Sequence, residues 1–133
     1  MKKPWKKDFV IVCDDFREEI RNKISLMGIF SGNIQVEKFP AQLPSLCFAI
    51  FIQGIQIPIE TISPIIKMPD QTVKVLDKIK PTLLDDKESN LNLLLKLSPA
   101  KISKSGKISL SLMINDEEKP AFKYSIDVIA FKA

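Results

Sequence analysis

The chain has 133 residues, 45% of them hydrophobic and 27% charged, which suits one globular domain built on one core. Twenty basic side chains face sixteen acidic ones, and Lys2, Lys3, Lys6 and Lys7 make up the whole excess, so residues 1–7 read as a basic flexible tail and residues 8–133 as a neutral body. Histidine is absent, which excludes Ser-His-Asp triads, Cys-His dyads, His-ligated zinc and any imidazole base.

Phe9 to Cys13 is the first apolar run and reads as a strand. It is shorter than the roughly 7 to 15 apolar residues of a signal peptide, and no run approaches the roughly 18 of a membrane helix. Cys13 and Cys47 sit in apolar runs and read as reduced, buried side chains. The expected location is the cytoplasm. Asp15 to Arg21 offers the one helical turn, with Asp15 as cap and Glu18 three residues on. Ile24 to Val36 reads as a strand that Gly28 and Gly32 would bulge or bend. Leu46 to Ile52 is apolar on both faces, the mark of a central strand.

Ile55, Ile57 and Ile59 alternate, but Pro58 and Pro64 lack the amide donor of a ladder, so residues 55–66 are expected along a sheet edge or broken. Met68-Pro69-Asp70-Gln71 is a turn before Val73, Val75 and Leu76. Leu91, Leu93, Leu95 and Leu97 alternate, and Ser98 to Gly106 is loop-like. Two further alternating sets follow: Ile108, Leu110, Leu112 and Ile114, then Phe122, Tyr124, Ile126 and Val128. The polar stretch between them makes an antiparallel hairpin. Nineteen isoleucines favour a pleated sheet over a helix. The expected fold is all-β, a single antiparallel β-sandwich of Ig-like or Greek-key type with seven to eight strands. A small closed barrel is the alternative.

The four glycines, at 28, 32, 54 and 106, assemble no dinucleotide fingerprint or phosphate loop. Ser98-Pro99-Ala100-Lys101 has the Ser-x-x-Lys spacing of some acyl enzymes, yet it lies in a loop, where a turn explains it. Three acidic groups stand at expected loops: Asp14, Asp15, Glu18 and Glu19; Asp85, Asp86 and Glu88; Asp116, Glu117 and Glu118. Converging, they would offer oxygens to a hard cation for metal-assisted hydrolysis; apart, they are solvated loop charge. Lys2, Lys3, Lys6 and Lys7 would attract a polyanion in a salt-dependent way, but no aromatic pattern for nucleic-acid recognition accompanies them. Lys101, Lys104 and Lys107 are read the same way: loop charge first, an anion site second.

Phe9-Val-Ile-Val-Cys13-Asp14-Asp15-Phe-Arg17-Glu18-Glu19, followed by Asn22-Lys23-Ile-Ser25-Leu26-Met-Gly28-Ile-Phe30 and Phe39-Pro40, resembles a family of small uncharacterised bacterial and phage proteins. The likeness spans residues 8–44 and implies no activity, ligand or cofactor. The residues themselves suggest a corner in which Asp14 or Asp15 accepts loop amides, Arg17 pairs with Glu18 or Glu19, and Gly28 relieves crowding.

The function these observations favour is a non-enzymatic interaction module. Its partner is a protein or a second copy, met at the 55–66 edge or at Asp14, Asp15, Arg17, Glu18 and Glu19. Clustered-acid hydrolysis and polyanion binding by the tail are the other readings. No cofactor and no membrane span are expected.

Overall fold

The computed structural model describes residues 3–21, 23–81 and 89–131. Its strands are β1 (Trp5–Glu19), β2 (Lys23–Ile29), β3 (Asn33–Val36), β4 (Ala41–Leu43), β5 (Leu46–Ile55), β6 (Ile62–Lys67), β7 (Val73–Val75), β8 (Ser89–Leu97), β9 (Ala100–Ile102), β10 (Gly106–Ile114) and β11 (Phe122–Ala130). They form a four-stranded sheet ordered β2-β1-β5-β8, a five-stranded sheet ordered β3-β11-β10-β6-β7, and a β4-β9 ribbon. Among the described residues no helix occurs, and none is long and apolar enough to cross a membrane.

Alternation decides which side chains meet. From the four-stranded sheet Val12, Phe48, Ile50, Leu93 and Leu95 turn inward. They share one continuous core with Ile66, Leu110, Leu112, Ile126 and Val128 of the five-stranded sheet. The fold is therefore all-β, with two sheets stacked over one core rather than a closed barrel. β5, apolar on both faces, is central between β1 and β8. The β10–β11 hairpin forms as expected, antiparallel, with Leu110 opposite Tyr124 and Leu112 opposite Phe122.

Several expectations are corrected. Residues 1–7 are not all free tail, because β1 begins at Trp5. The Trp5 ring packs 6.4 Å from that of Phe122, and its Nε1 donates to Asp8 at 2.8 Å, so the burial of one aromatic draws the basic segment into the sheet. Asp15 to Arg21 is not helical: Phe16 pairs with Leu26 and Glu18 with Ile24, and this ladder overrides the local capping pattern. Ile24 to Val36 is two strands in different sheets, parted at Gly32 with φ +88°. β3 then pairs parallel with β11, so the sandwich is not wholly antiparallel.

Residues 55–66 are broken, one of the two outcomes expected, with β5 ending at Ile55 and β6 beginning at Ile62, but they are not an outer edge, since β6 lies between β10 and β7. The Pro64 carbonyl accepts from the Leu76 amide on the β7 side. The donor proline lacks would have pointed that way too, so the ladder to β10 loses nothing. The strand count exceeds seven or eight because β3, β4, β7 and β9 are three or four residues long, too short for periodicity to reveal.

Candidate interaction surface

The outer face of the four-stranded sheet carries an apolar patch that the cross-strand registers lay out in rows. Ile29, Cys13, Cys47 and Lys96 stand side by side across β2, β1, β5 and β8. Ile11, Ala49 and Leu94 form the next row, and Phe9, Phe51 and Asn92 the one after. The Phe9 and Phe51 rings stack with centroids 4.7 Å apart and planes 16° from parallel, an attractive offset arrangement. Phe9 is 50% exposed and Ile29 57%, and Met27 beside them is exposed too. Cys13, Cys47 and Ala49, in the middle of the face, are buried.

Beneath the rim the two cysteines are fully buried. The Cys13 thiol donates to the Asp15 carbonyl at 3.3 Å. Burial pushes both thiols up, that of Cys47 to about 11. Lys96 closes the patch on one side by donating to Asp15 Oδ1 at 2.8 Å, with its ammonium 5.6 Å from the Phe16 ring centre. That hydrogen bond holds Asp15 below the usual carboxylate range and raises Lys96.

The acidic group around Asp14 and Asp15 therefore borders the patch, though not as a loop. Residues 15–19 lie on β1 and pair with β2 alone. Arg17 reaches Glu19 at 3.4 Å, and Glu19 accepts from Ser25 at 2.6 Å, while Glu18 is exposed. Asp15 Oδ1 also accepts the Phe16 amide at 2.8 Å. Gly28 lies under Asp14, where a Cβ would meet the carboxylate oxygen at 2.3 Å. The expected relief of crowding is thus what the glycine provides.

The other acids stand elsewhere. Asp116 pairs with Lys78 at 2.7 Å, beside the β10–β11 turn and near the end of the sandwich where Trp5 meets Phe122, far along β1 from Asp15. Asp85, Asp86 and Glu88 lie outside the described residues, as does Lys2. Among the described residues no three Cys, Asp or Glu side chains are grouped to hold a metal ion. Of the basic segment, Lys3 is taken by Asp8 at 2.8 Å and stands 5.3 Å over the Phe122 ring. Lys6 lies along Gly54, and Lys7 is exposed.

Sequence reasoning missed the patch, although its signal was present. Phe9, Ile11, Phe51 and Leu94 are the second apolar set in strands that already carry one inward set, and a doubly apolar strand reads as doubly buried.

A protein-family profile matches residues 8–127; it is that of a family of unknown function, DUF6941. No curated protein matches the chain.

Proposed function

The chain belongs to the DUF6941 family, which brings no activity with it, and we propose that it is a non-enzymatic interaction module that holds a protein partner on the outer face of the β2-β1-β5-β8 sheet. The observation that supports this is the apolar face around the Phe9–Phe51 stack, on which Phe9, Met27 and Ile29 are exposed. Contiguous apolar surface rimmed by polar groups marks association sites, whereas single exposed apolar residues do not. The rim here is Lys7, Asn92, Lys96 and Asp15. The partner's matching surface is apolar at its centre and polar at its margin.

Burying one large apolar side chain is worth about 1.5–3 kcal/mol, so losing Phe9 should weaken the complex by about tenfold or more. Sedimentation of the purified chain, combined with capture from its own cells, is expected to find a complex that Phe9→Asp and Ile29→Asp both disrupt while the thermal transition is kept. A homodimer would identify the partner as a second copy. A monomer that captures nothing, or a complex indifferent to both substitutions, would overturn the reading.

A further inference from the structure

A second surface, at the opposite layer of the sandwich, has a different chemistry. β7 is the outermost strand of the five-stranded sheet, and its hydrogen-bond phase follows from its neighbours. Met68 N–H donates to the Thr72 carbonyl at 2.8 Å, and Leu76 N–H to the Pro64 carbonyl at 3.0 Å. The register sets Lys74 opposite Ile66 between them. Hydrogen-bonded pairs alternate along an antiparallel ladder, so Lys74 bonds inward while Val73 and Val75 turn their amides and carbonyls to the open edge. Their side chains are 55% and 71% exposed. A free edge bearing exposed β-branched side chains is a template for an added strand.

On the other face of that edge, a cleft of about 730 Å³ runs between β7 and the β4-β9 ribbon, and an adjoining one of about 610 Å³ lies between β7 and the end of β8 with its turn into β9. Lys74 and Lys101 line both, and neither has an ion-pair partner among the described residues. The acid in the cleft wall, Asp70, is already occupied. It accepts from the Thr72 amide at 3.0 Å, from the Thr72 hydroxyl, and from Ser103 Oγ at 2.9 Å. The Ser103 bond ties the β6–β7 turn to the β9–β10 connection and so fixes the cleft's width.

The geometry points to β7 as the docking edge for an extended acidic peptide segment, which adds as a strand beside Val73–Val75 and sets carboxylates over Lys74 and Lys101. Alternation assigns the segment's pattern: apolar residues beside Val73 and Val75, acidic ones on the cleft side. Backbone bonds supply affinity and the lysines select charge. The site meets the patch proposed above only at Lys96, which lines the smaller cleft and is held by Asp15 at the patch's rim; no tested substitution touches it, so the two readings stand or fall separately.

The test uses the intact chain and a labelled synthetic peptide of alternating valine and glutamate, with the valine–glutamine peptide as control. Saturable binding that weakens with salt is expected for the glutamate peptide, with new exchange protection of the Val73 and Val75 amides. Val75→Pro deletes an outward donor without touching the β6 ladder and should weaken binding about tenfold. Lys74→Gln with Lys101→Gln should remove the preference for glutamate over glutamine. Phe9→Asp should leave peptide binding unchanged. No binding, equal binding of the two peptides by the unmodified chain, or equal binding by Val75→Pro would overturn the inference.

Discussion

Cys13 and Cys47 stand directly opposite each other on β1 and β5, fully buried although they lie on the outward face of their sheet. Ile29 and Lys96 flank them in the same cross-strand row. Burial disfavours the thiolate, which is the reactive form. Both cysteines should resist a disulfide reagent in the folded chain and react promptly in urea. Rapid labelling without unfolding would contradict this.

The same shift has a pH consequence. The folded Cys47 pKa is raised from 9.0 to about 11. Below pH 9 the thiol is protonated in both states and its contribution to stability is complete. Between pH 9 and about 11 the unfolded chain ionises first, so stability falls as pH rises. Urea midpoints measured through this window should decline less steeply for Cys47→Ala than for the unmodified chain.

Asp70 behaves in the opposite sense. Hydrogen bonds from Thr72, then Ser103, hold its carboxyl down at about 2. The stability they give is present above the ordinary value of 3.8 and is lost as pH falls through about 2. A carbonyl-carbon titration should place the Asp70 midpoint near the lower value, and Asp70→Asn should flatten the acid limb of the unfolding profile. An ordinary midpoint would show that the turn does not hold the carboxylate.

Gly28 adopts φ +68° beneath Asp14. Gly28→Ala adds both a left-handed alanine and a clash, and is expected to cost about 1–2 kcal/mol in chemical denaturation. Combining it with Asp14→Ala should recover only the steric part, because the backbone penalty stays. Full recovery would assign the whole cost to the carboxylate.

Depth in the sandwich should separate two substitutions of similar chemistry. Leu112 is fully buried between the sheets, so Leu112→Ala should cost about 3 kcal/mol. Val75 stands on the open edge, and Val75→Ala should stay within about 0.5 kcal/mol. Comparable losses at both sites would mean that β7 is covered in solution.

The strands that could be read in advance are those whose alternation runs for many residues: Leu91 to Leu97, Ile108 to Ile114 and Phe122 to Val128. One misplaced residue there turns the whole apolar set to water, so the pattern has a single reading. The helical turn at Asp15 failed because a cap is a local preference and β2 supplied a whole ladder. Of the two outcomes expected for residues 55–66, the break holds between Ile55 and Ile62, while the edge does not, because a proline's missing donor does not say which neighbour misses it.

The candidate surfaces were partly written in the chain. Asp14, Asp15, Arg17, Glu18 and Glu19 were marked as a group, and Asp15 does border the patch. The patch itself unites residues from β1, β2, β5 and β8, and the cleft joins Lys74 to Lys101. By itself the sequence determined an all-β domain with a doubly apolar central strand, because burial at every second position is a property of single strands. Which second face kept exposed apolar side chains, and which edge stayed open, was decided by the tertiary structure alone, since both depend on what other strands lie alongside.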